Sequence, residues 1–153
     1  MAHYSRLSKI VIDVPEADHD RELAFWSGVT GQQLIRFDRH PEYHGAELPG
    51  HDLGLLIQRL GDGPGRVHLD IHTDDPAAEM ARLEKLGAEP VAQVHAWWIM
   101  RDPAGLPFCV IPEPPGALDD SNALVVTAAP GSGPRYAPGP SNGPVNLKTI
   151  ALP

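Results

Sequence analysis

One stretch of the chain concentrates groups able to move protons or hold a cation: Arg66-Val67-His68-Leu69-Asp70-Ile71-His72. Polar and apolar residues alternate along it, and in an extended strand successive side chains point to opposite faces. His68, Asp70 and His72 therefore share one face, while Val67, Leu69 and Ile71 share the other, which is expected to meet helices. A second alternating stretch, Lys9 to Val14, puts Lys9, Val11 and Asp13 on one face with Ile10, Ile12 and Val14 beneath. Ionisable groups gathered in one cavity must be paired, hydrated or ligand-bound, because burying them dry is costly. Two chemistries fit. Asp70 or His68 acts as general base beside Lys9, which stabilises an enolate or carboxylate. Alternatively, Lys9 and an aspartate form an ion pair across two strands, and His72 hydrogen-bonds near the rim.

These strands need elements to position them, and the chain supplies the same order twice. After the strand at Lys9–Val14, Asp18 is placed to cap a helix from Asp20 to about Val29, whose apolar face is Leu23, Trp26 and Val29, with Gly31 at its end. Strands are predicted at Gln32–Phe37, near Ala46–Leu48 and at Leu53–Leu60. The run Gly61-Asp62-Gly63-Pro64-Gly65 marks a turn. The order then restarts: strand Arg66–His72, capped helix Pro76–Leu86, and strands Glu89–Val94, Ala96–Arg101 and Pro107–Ile111. Two strand–helix–three-strand units, about 6–60 and 66–112, predict an α+β domain over residues 1–112. Its expected form is two βαβββ repeats in one curved mixed sheet around a central cleft, with helices on the convex side. Trp97 and Trp98 are adjacent, so one packs under a helix and the other lines the cleft, where Trp98 is the candidate for stacking on a planar or cationic ligand. His40, His44 and His51 are expected in solvated loops.

Bulk properties exclude several classes. At 153 residues the chain holds one real core, and its 42% apolar and 21% charged residues are ordinary for a globular protein. A formal charge of −8 argues against nucleic acid, whose phosphates demand a basic surface. No apolar run is long enough to span a membrane, and no signal sequence is evident, so a cytoplasmic location is expected. The single cysteine, Cys109, forms no internal disulfide. Nine of the 17 prolines lie at or beyond Pro112, which sets residues 113–153 apart as an extension. Within it, Ala123–Ala128 and Val145–Leu152 could each add a strand, and the second is apolar enough to dock as an arm or lid.

Several short motifs together resemble the glyoxalase/bleomycin-resistance (vicinal oxygen chelate) superfamily. They are His68-Leu69-Asp70, Thr73-Asp74-Asp75, Leu86-Gly87-Ala88 and Asp102-Pro103-Ala104-Gly105-Leu106-Pro107-Phe108, with Asp13-Val14-Pro15, Phe25-Trp26 and Thr30-Gly31 in the first half. The resemblance covers about residues 6–112. It implies a small-molecule ligand, commonly a homodimer, and a choice among metal-dependent isomerases and lyases, ring-cleaving dioxygenases, drug-inactivating enzymes and metal-free proteins that sequester antibiotics. It also implies a divalent metal, zinc or another, held by His68, Gln58 and Cys109; Lys9 falls where the first repeat would carry a ligand and is a poor one, having no lone pair when protonated. The leading expectation is a glyoxalase-like lyase or isomerase acting on a small oxygenated metabolite, with His68 and Asp70 catalytic and Lys9, Asp13, His72 and Trp98 binding substrate. The alternative is a metal-free small-molecule or antibiotic binder of the same fold.

Overall fold

The computed structural model describes residues 2–61 and 63–127. Along the chain run β1 (Ala2–Pro15), a single 3-10 turn (Glu16–Asp18), α1 (His19–Thr30), β2 (Ile35–Arg36), β3 (Tyr43–Glu47), β4 (Gly54–Leu60), β5 (Arg66–Thr73), α2 (Pro76–Lys85), β6 (Glu89–Val94), β7 (Trp97–Arg101), β8 (Pro107–Pro112) and β9 (Leu124–Thr127). The architecture is α+β, with mixed strand directions and few helices. Two compact units divide it: residues 8–69, and residues 2–7 with 70–127, so β1 and β5 each contribute to both. The segment Val145–Leu152 lies outside the described residues. The expected strand at Ala123–Ala128 is β9, and it pairs antiparallel with the start of β1, Ala2 opposite Thr127 and Ser5 opposite Leu124.

In the unit of residues 8–69, β1 runs parallel to β4, with Lys9 opposite Gly54 and Asp13 opposite Gln58. β3 runs antiparallel to β4, pairing Tyr43 with Gln58 and Glu47 with Gly54. One face of this sheet carries the core, where Val14, Leu34, Leu55 and Ile57 are joined by Ile10, Ile12 and, from α1, Leu23 and Trp26. The apolar alternation of β1 is thus the face under the helix. Val29 departs from expectation and is 59% exposed. Strict three-residue spacing turns about 60° backward per step on a helix of 3.6 residues per turn, so Val29 leaves the face that Leu23 begins. Gly31 closes α1 at φ 66°, a left-handed value that favours glycine.

His19, the first residue of α1, is 1% exposed and packs edge-on against His44 of β3, with ring centroids 4.9 Å apart. His44 is therefore a strand residue under a helix, in place of the solvated loop residue expected; its strand begins three residues earlier than the apolar pattern suggested. Burial, with Arg59 adding to it, holds the His19 imidazole below its ordinary 6.5. Burial, then His19, Arg59 and Arg36, does the same for His44. A folded value below the unfolded one means the contribution to stability is complete above pH 6.5 and is lost as pH falls below it. Thermal melts between pH 8 and 5 are expected to show this loss, and a His19→Gln variant to show a flatter profile over that window.

In the unit of residues 2–7 and 70–127, the strand order is β5, β8, β7, β6. β7 pairs antiparallel with β8 and with β6, with an irregularity between Pro90 and Ala92. Asp75 caps α2, its Oδ1 accepting from the Ala78 N–H at 3.0 Å, and Pro76 occupies the first turn, where a missing N–H costs nothing. From α2, Leu83 and Met80 cover Met100, Val110, Phe108, Trp98 and Ile71. Glu79 of α2 is fully buried. It accepts from Arg82 Nε at 2.8 Å and Nη2 at 2.7 Å, from Ser5 Oγ at 2.8 Å and from His3 Nε2 at 2.7 Å. That network ties the first residues of β1 to the helix.

Candidate active site

The site begins with a carboxylate inside the unit of residues 8–69. Asp13 is 1% exposed, and its Oδ2 accepts from Arg66 Nε at 2.8 Å and from His68 Nδ1 at 3.0 Å. A carboxylate only accepts, so His68 must donate from Nδ1, and the neutral ring then carries its lone pair at Nε2. A carboxylate behind a histidine fixes the tautomer and ring orientation and raises the basicity of the far nitrogen. Sequence reading placed Asp13 at the substrate. The structure turns its Oδ2 to Arg66 and His68. Beside it across the strands, Gln58 is buried and its Nε2 donates to the Tyr43 hydroxyl at 2.9 Å. Tyr43, Gln58 and Asp13 make one lateral row over β3, β4 and β1.

Along β5, Asp70 follows His68 by two residues and His72 by two more, so alternation sends all three side chains to one face. Asp70 and Cys109 of β8, both in the second unit and both buried, bring a carboxylate oxygen and a sulfur within 4.8 Å of each other. His72 pairs through Nδ1 with Glu113 just beyond β8. Glu113 was missed in the sequence, where it sits among prolines and carries no periodic signal.

Two apolar assignments are corrected. Trp98 packs with Leu83, Met100 and Val110 on the α2 side, and so does not line the face that carries Cys109. Ile99 is opposite Cys109, and Trp97 lies two residues from Ile99, so Trp97 is the tryptophan on the Cys109 face. The period-2 pair of Trp98 and Met100 was the available signal. Val67 and Leu69, expected beneath helices, are 57% and 41% exposed. Helix α1 spends its apolar residues on β1 and β4, and α2 reaches only Ile71 of β5.

A profile described as "Glyoxalase-like domain" matches residues 9–111, two-thirds of the chain. The chain belongs to that family. Among curated proteins nothing matches. This glyoxalase-like chain is similar in fold to methylmalonyl-CoA epimerase from Mycobacterium tuberculosis, with 16% identity, TM-score 0.51, and 71% of this chain and 88% of the other covered. It is also similar to a hypothetical protein from Bacillus halodurans C-125, at 14% identity and TM-score 0.51, covering 75% and 99%. Identities this low support the glyoxalase-like fold and leave the chemistry to the residues. No helix among the described residues is long and apolar enough to cross a membrane.

Proposed function

We propose that this glyoxalase-like chain is an enzyme of the isomerase or lyase type that moves a proton on a small oxygenated metabolite. The observation that carries the reading is the Asp13–His68 pair: a buried carboxylate holding Nδ1–H leaves Nε2 as the basic atom. Arg66, on the same carboxylate oxygen, balances its charge and keeps it from wandering off His68. Asp70 is the second proton-handling group, two residues along the same strand. Epimerisation of a carbon next to a carbonyl, the activity in the name of the Mycobacterium tuberculosis relative, is proton transfer of this kind.

The family resemblance implies a divalent ion, and the donors fit one. An Asp70 oxygen and the Cys109 sulfur, both in the second unit, pair a carboxylate with a thiolate, which suits zinc better than an oxygen-preferring ion, and the family resemblance adds His68 through Nε2. The approach of Asp70 to Cys109 is the structural observation behind that fit. When bound, the ion supplies polarisation of a substrate oxygen. Gln58 would join through its amide oxygen, since its amide nitrogen donates to the Tyr43 hydroxyl. His68 Nε2 serves as ligand or as base, and not both at once.

The test is solvent exchange. Incubation in heavy water with a panel of 2-hydroxy acids, 2-keto acids and acyl thioesters, before and after zinc reconstitution, is expected to place deuterium next to the carbonyl of at least one. A His68→Ala variant with an unchanged melting curve is expected to place none. Tryptophan quenching by a ligand with no exchange under either condition would instead support the sequestering alternative.

A further inference from the structure

On the same face of the 8–69 unit, two rows from Asp13, lies a second group of residues that the proton-transfer chemistry does not use. Glu47, Gly54 and Lys9 form the row over β3, β4 and β1. With Phe37, Gly45 and Leu56 they line a pocket of about 170 Å³. Its depth comes from two glycines. A Cβ at Gly45 would stand 3.0 Å from Leu56 Cδ1 and 3.1 Å from Phe37 Cζ, so the ring occupies the space that any larger residue would need. A Cβ at Gly54 would stand 3.4 Å from Lys9 Cγ and 3.5 Å from Glu47 Oε1, so this glycine keeps open the gap between the two charges. The Lys9 ammonium lies over the Phe37 ring, 5.8 Å from its centroid, and makes no ion pair among the described residues. Glu47 is exposed.

We infer that this pocket binds a small carboxylic acid bearing a hydrogen-bond donor beside its acid group, such as a 2-hydroxy acid. Lys9 takes the carboxylate, and Glu47, on the far side of the Gly54 gap, takes the donor. Phe37 and Leu56 flank the apolar body. Lys9 and Glu47 stand two strand spacings apart, roughly 10 Å between Cα atoms, so two long side chains reach one molecule from opposite sides. The volume is below the roughly 300–1,000 Å³ of pockets for drug-sized ligands, so the acid is small or inserts only one end. A lone ammonium held against an aromatic face is ready for an anion, because its cation–π contact is worth less than a charge-assisted hydrogen bond.

Mandelate is the probe, with benzyl alcohol as the uncharged control. Calorimetry on the full chain is expected to show mandelate binding with millimolar affinity or better, and benzyl alcohol binding about tenfold or more weaker. Lys9→Met is expected to weaken mandelate by about tenfold or more, with Lys9→Arg restoring most of it. Gly54→Val fills the gap and is expected to abolish binding, and amide shifts of Gly45 and Gly54 place the probe. Wild-type chain that ignores mandelate, or Lys9→Met that binds it undiminished with an unchanged melting curve, would overturn the assignment. Binding is read here without turnover. Mandelate binding in a chain that exchanges no deuterium keeps this inference and rejects the catalytic one; exchange without mandelate binding does the reverse.

Discussion

A Glu79→Ala variant is expected to melt about 6–20 °C below the wild-type chain. The carboxylate has no exposure, and three side chains, Arg82, His3 and Ser5, donate to it. Removing one partner of a buried ion pair costs about 3–5 kcal/mol, because the remaining groups are left desolvated and unmatched. At roughly 2–4 °C per kcal/mol for a chain of this size, that is a large shift, even after allowing Arg82 to turn its guanidinium toward water. His3 has no such escape, being buried with its Nδ1 already lacking a partner among the described residues. Burial alone would raise the Glu79 carboxyl, but the bonds from Arg82, His3 and Ser5 outweigh it and hold the group at about 2. A depressed folded value means its stabilisation is present above the unfolded 4.5 and is lost as pH falls from there toward 2. Acid titration followed by circular dichroism checks this: the wild type should lose stability across that window, and Glu79→Ala should lose less there. Glu79→Gln, which keeps the shape without the charge, is expected to fall between the two.

The second large effect is expected at Asp13→Asn. The variant keeps the shape of the side chain, but only one of its two ends can accept. To serve Arg66 and His68 the amide must put its oxygen where Oδ2 stands, which leaves its NH₂ where Oδ1 stands, a buried position with no partner among the described residues. Turned the other way, the amide faces two donors with a donor. In either orientation His68 loses the charge that fixes Nδ1–H. Loss of such a carboxylate behind a metal-binding histidine typically costs about 10–100-fold in metal affinity or activity. Zinc titration against a competing chelator and deuterium exchange measure the two. A variant that melts normally yet shows undiminished zinc affinity and exchange would remove His68 from the chemistry.

Where the backbone period carried the information, the sequence was readable. Ile10, Ile12 and Val14 alternate and lie under α1; Asp75 and Pro76 announce α2 and begin it. The facing of His68 and Asp70 followed from alternation alone. What failed was information about partners. Nothing in the β5 pattern says that Val67 and Leu69 are left exposed, because an apolar strand face records burial only if something arrives to cover it. Two adjacent tryptophans leave their phase undecided until Met100, Phe108 and Val110 are seen together across two strands. The bonds from Arg66 and His68 to Asp13, more than 50 residues away in sequence, are a tertiary fact that no local pattern carries. The sequence carries no sign of what Gly45 does, and only the Leu56 and Phe37 side chains beside it show why a side chain is excluded there.

Strand β1 also sets an order in time. Its residues Lys9–Pro15 pair with β4, while Ala2–Ser5 pair with Leu124–Thr127, more than a hundred positions downstream. During synthesis, which runs at about 5–20 residues per second, the first residues of the strand leave the ribosome with no edge to join. His3 and Ser5 wait for Glu79, and the backbone from Ala2 to Ser5 waits longer still for β9. For several seconds the nascent chain therefore carries an extended segment whose far half is already claimed and whose near half is not. Partners so distant along the chain make slow closing steps, which places the last hydrogen bonds of the first strand among the last to form.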